Sequence, residues 1–128
     1  MSNEFKSPQQ QIFDTVFLSS LRLGYRTVDY LPSRDFNLPF VFIGEQFDQD
    51  LRTKTNLYGS VQQTIHVFHE RQNRRDLTTM MNNIKKELRN LKLTENFYLS
   101  CKNITSQTLI DADSGLLHGI IEVEIIFH

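Results

Sequence analysis

Apolar residues recur at Ile12, Phe13, Val16, Phe17 and Leu21, which places them along one side of a helix. Ser7 precedes Pro8, and Gln10 follows three positions after the serine, so a capping box coincides with proline at the first helical position. Gly24 stands where a left-handed C-terminal cap is wanted, and the pattern predicts a helix over residues 8–23. The period then shortens. Val28 and Tyr30 share a face of a short strand over 25–31 that Pro32 stops. Phe40, Val41, Phe42 and Ile43 are apolar on both faces, the mark of a central, covered strand, with Pro39 at its start where a missing N–H does least harm. Residues 46–59 are mostly polar and are expected to form a long loop, of the length class that is functional or disordered.

Strand character returns over Val61 to His69. Ile65 and Val67 point one way and Thr64, His66 and Phe68 the other, so one side belongs to the core and the second suits cover by a neighbour. Leu77, Met80, Met81, Ile84, Leu88 and Leu91 form a single helical stripe, which predicts a second helix of about four turns. Phe97, Leu99 and Cys101 alternate inward. Asp111 to Gly115 marks a turn, and Ile121, Val123, Ile125 and Phe127 alternate against Glu122 and Glu124, so the last third reads as a long antiparallel hairpin. The fold class implied is α+β, a mixed or antiparallel sheet of about five strands with two helices on one face.

At 128 residues, with 39% apolar residues and ten Phe, the chain is expected to be one domain over 1–128 with a flexible N-terminus at 1–6. The apolar runs are short and the first residues lack the stretch a signal peptide needs, so a membrane partner is not expected and synthesis in the cytoplasm is. The lone Cys101 cannot form an internal disulfide and behaves on its strand as a small apolar group.

The net charge of −1 conceals a segregation: Arg71 to Lys92 holds seven basic residues against two acids, leaving −6 on the remainder. With no groove-reading or base-stacking motif, this does not read as sequence-specific nucleic-acid binding. It suits a solvated helix face, or complementary fields between copies in an oligomer.

Reactive chemistry finds little support. His66 and His69 fall on opposite faces of their strand, His118 and His128 at the two ends of the last one, and no Cys or carboxylate cluster completes a metal site. Asp111, Asp113 and Glu122 fit three positions of a calcium loop, but Leu116 occupies the place that needs glycine, and strand follows instead of helix. Neither a nucleophile elbow nor a phosphate-cradling glycine loop occurs. No catalytic residue, metal or cofactor is expected. Glu122 and Glu124 read as the solvent side of an amphipathic strand.

One resemblance spans nearly the whole chain. Val28, Pro32, Pro39, Phe40, Val41, Ile43, Gly44 and Glu45, then Thr64, His66, Val67 and Phe68, then the second helix and closing hairpin, resemble the tail-completion, or tail-terminator, proteins of long-tailed bacteriophages, with Phe68 where many relatives carry Trp. The resemblance implies a non-enzymatic virion protein made in the host bacterial cytoplasm. It implies several copies, commonly six, in a ring at the head-proximal end of the tail, monomeric or not before assembly. Such a ring halts tail-tube polymerisation and joins tail to head, with the chain itself, the tail-tube protein and a head-side connector as partners. Candidate interface residues are Glu45, Asp48, Asp50, Arg52, Lys54, Arg71, Arg74, Lys85 and Arg89, with Lys85, Arg89 and Lys92 facing Glu45, Asp48 and Asp50 of the next copy. The alternatives are another neck or head-closure component, or a small bacterial ligand-binding or adaptor domain, which would show a formed apolar pocket with convergent polar groups.

Overall fold

The computed structural model describes residues 6–33, 36–52 and 57–128. Helix α1 (Pro8–Arg22) leads to the short strand β1 (Thr27–Val28), then β2 (Phe40–Arg52), β3 (Leu57–His69), helix α2 (Arg74–Arg89), β4 (Leu99–Ile110) and β5 (Leu117–Phe127). One sheet runs in the order β1-β2-β3-β5-β4, with β1 parallel to β2 and every other pair antiparallel. The fold is α+β, a mixed sheet with two helices.

Local chemistry sets the helix ends. Ser7 Oγ accepts from the Gln10 backbone N–H at 3.2 Å with Pro8 opening α1, and Gly24 takes up φ 89° just past its end. At α2 the cap residue Asn73 makes no side-chain cap bond, and Asp76 in the first turn is bonded to His69 Nε2 at 2.6 Å. The negative charge there complements the helix dipole.

Both helices lie on one face of the sheet. Under them Val41, Ile43, Val61, Ile65, Val67, Leu117, Ile121, Val123, Ile125 and Phe127 are essentially sealed from water, packed against Ile12 and Val16 of α1 and Leu77, Met80, Met81, Ile84 and Leu88 of α2. Strict alternation on β5 is therefore the imprint of a helical layer above it. A Cβ at Gly119 would collide with Met81 Sδ, so the glycine leaves room for the Met81 side chain between α2 and the sheet.

Two expectations need correction. The long loop expected over 46–59 is mostly strand: 46–52 continue β2 and 57–59 begin β3, paired from Gln46↔Gln63 to Arg52↔Leu57, while 53–56 lie outside the described residues. Backbone hydrogen bonding between two polar arms needs no apolar period, so alternation was a poor guide there. The first strand is also shorter than 25–31, because only Thr27 and Val28 pair with Val41 and Phe42. Of the flexible N-terminus expected at 1–6, residues 1–5 lie outside the described residues, and Lys6 pairs with Asp14 at 2.7 Å.

Candidate interaction surface

The register of β2 and β3 slips between Ile43 and Gln46, a bulge that turns Glu45 onto the face away from the helices. Gln63, fully buried, stitches the bulge: its Nε2 donates to the Gly44, Glu45 and Thr64 carbonyls at 3.1 Å, and its Oε1 accepts from Gln46 Nε2 at 3.1 Å. Each polar atom of this buried amide is satisfied.

On the helix-free face the bulge delivers Glu45 to a row of rings. His66 Nε2 lies 2.7 Å from Glu45 Oε1, and His66 Nδ1 lies 2.7 Å from His118 Nε2. The His66 ring thus bridges the Glu45 carboxylate and the His118 ring, one nitrogen to each, with donor and acceptor roles set by the tautomer. Phe42 stacks on His66 with centroids 5.3 Å apart, Phe68 on His118 at 4.2 Å, and Phe40 on Phe68 at 5.1 Å. Burial and the adjacent His66 hold His118 below the ordinary histidine pKa, against the opposing pull of Asp111 and Glu45. For Glu45, burial works against ionisation, but the His66 hydrogen bond and its own backbone N–H outweigh it and the carboxyl sits below its ordinary range. Cys101 is pushed up by burial, which keeps it a thiol.

The nine interface residues do not form one patch. Glu45 faces the ring stack, whereas Asp48 lies opposite Val61 on the helix side and accepts from Gln9 Nε2 at 3.2 Å. Asp50 and Arg52 lie further along β2, opposite Gly59 and Leu57, and Lys54 lies outside the described residues. Lys85 Nζ donates to Ser106 Oγ of β4 at 2.9 Å, and the exposed Arg89 guanidinium lies close enough to act on the Cys101 thiol. These two bases therefore belong together above β4. Arg71 and Arg74 are exposed near the start of α2, at the other end of that helix. Sequence reasoning missed the Glu45–His66–His118 chain. Alternation placed His66 and Phe68 on one face, but the pairing Phe68↔His118 that aligns them is a register fact of β3 with β5.

A groove of about 480 Å³ is lined by Leu31, Phe36, Leu38, Phe40, Phe68 and Leu116, with Asp111 and Ser114 at its edge. Those polar groups serve the turn: Asp111 Oδ2 accepts from the Ser114 N–H at 2.9 Å and from its hydroxyl at 2.7 Å.

No protein-family model matches the chain, and no curated protein matches it. Solved structures do. A chain of the virion of a native gene transfer agent particle superposes with a TM-score of 0.69 at 10% identity, covering 94% of both chains. The bacteriophage SPP1 gp17 protein superposes with a TM-score of 0.55 at 21% identity, covering 94% of this chain and 95% of that one. The class defined is thus a fold shared with a virion chain and a bacteriophage protein. The resemblance to the tail-completion family drawn from the sequence holds at the level of that fold.

Proposed function

We propose that this chain is a structural part of a long-tailed phage virion, without a catalytic step of its own. It closes as a ring of copies on the head-proximal end of the tail, stops tube growth and joins tail to head. The observation that carries this reading is end-to-end likeness of fold to a gene transfer agent virion chain, with 94% of each chain matched. The surface agrees in kind. Asp48 lies on β2 toward one edge of the sheet and Lys85 with Arg89 lies over β4 at the other, so unlike charges at the two edges of one subunit suit a heterologous contact that closes by rotation.

Coexpression separates the tail address from the head address. The chain is expected to co-sediment with tubes of the tail-tube protein. Co-sedimentation with the portal-side protein alone would move it to head closure.

A further inference from the structure

Among the described residues β4 is an edge strand along its whole length, paired with β5 alone. β2 is the opposite edge beyond Phe42, because β1 covers it only at Val41 and Phe42. Folded proteins ordinarily blunt such edges with charge, proline, bulges or brevity. β4 is not blunted where it counts. Its bulge lies between Cys101 and Asn103, and from Asn103 to Ile110 it carries no charge, proline or glycine, while Ile104, Thr105, Thr108 and Ile110 are β-branched. Leu109 and Ile110 remain 37% and 44% exposed on this open edge.

Charge selects the occupant. Pairing two copies through like edges would bring Asp48 against its own counterpart, or Lys85 and Arg89 against theirs. Unlike edges do the reverse. Ser106 pairs with the buried Ile121 and so lies on the helix side of β4, with Lys85 bonded above it; Asp48 lies on the helix side of β2. We propose that β4 of one copy accepts the free edge of β2, residues 46–52, from a second copy. The sheet then continues across the contact, with Lys85 and Arg89 over Asp48. Glu45 takes no part, because His66 holds it on the other face. Strand addition of this kind draws affinity from backbone hydrogen bonds and register from side chains. The contact is the copy-to-copy interface that the ring reading requires and rests on that reading.

Hydrogen exchange of the full chain, free and assembled on tail tubes, tests it. Amides within 46–52 and 103–110 are expected to slow by about tenfold or more on assembly. Lys85→Glu or Asp48→Lys alone should weaken ring formation by about tenfold, and the double exchange should restore it. Thr105→Lys with Gln107→Lys, at exposed positions of β4, should abolish the ring and leave the melting temperature unchanged. If rings form while both segments exchange as in the free chain, the strand contact is wrong and the ring reading survives. If 103–110 slows while 46–52 does not, the occupant of β4 is another protein. If no ring forms on tubes under any condition, the ring reading falls and takes this contact with it.

Discussion

The two faces of the sheet are built by different rules. Beneath the helices, aliphatic side chains with no exposed surface fill the space between layers, and each is replaceable only by something of like shape. On the open face, Phe42, His66, His118, Phe68 and Phe40 stack side by side around a carboxylate–imidazole–imidazole chain, with water on one side. The first face makes the fold, and the second presents a shaped, weakly charged surface with a hydrogen-bonded centre.

The sharpest way to break that division is Ile121→Ala on the covered face, expected to cost about 2–5 kcal/mol in denaturant unfolding because the site under α2 cannot collapse. A loss below about 1 kcal/mol would mean that the covered face is not the main source of stability.

Gln63→Leu lies between the faces. It removes the amide that serves three carbonyls around the bulge, and the expected loss is about 1–3 kcal/mol. Glu45 should then lose its hold on His66, visible as a shift of the His66 ring signals in NMR. Unchanged imidazole signals would show that the bulge does not depend on Gln63.

The smallest effect sharpens the open face. Burial keeps the folded His118 pKa below its ordinary 6.5, so above that value the ring is neutral both folded and unfolded. As pH falls below it, the unfolded chain takes up a proton that the native ring resists, and stability declines until the native ring protonates as well. Of the groups that act on this ring, His66 adds to the depression, while Glu45 and Asp111 oppose it. His118→Gln should flatten melting temperature against pH between about 7.5 and about 5.5. An unaltered slope would assign it elsewhere.

How far the sequence could be read followed the same division. β5 and α2 were legible residue by residue because a single packed layer imposes one period on each: Leu77, Met80, Met81, Ile84 and Leu88 are all buried. The arms of the β2–β3 hairpin were not, since Asp48 to Arg52 owe their strand to backbone pairing with Leu57 to Val61. Nor was the ring stack, because residues 45, 66 and 118 meet only once a bulge and a cross-strand register are set, and no local pattern encodes either. Charge segregation was visible along the chain, but its meaning was not. Lys85 and Arg89 acquire a direction only when α2 lies above β4.

The most direct measurement is the length and attachment of tails assembled with and without this chain, counted by electron microscopy. The expected result is uniform, head-attached tails in its presence, and overgrown or unattached tubes when it is withheld. Tails of normal length joined to heads in its absence would contradict the assignment outright.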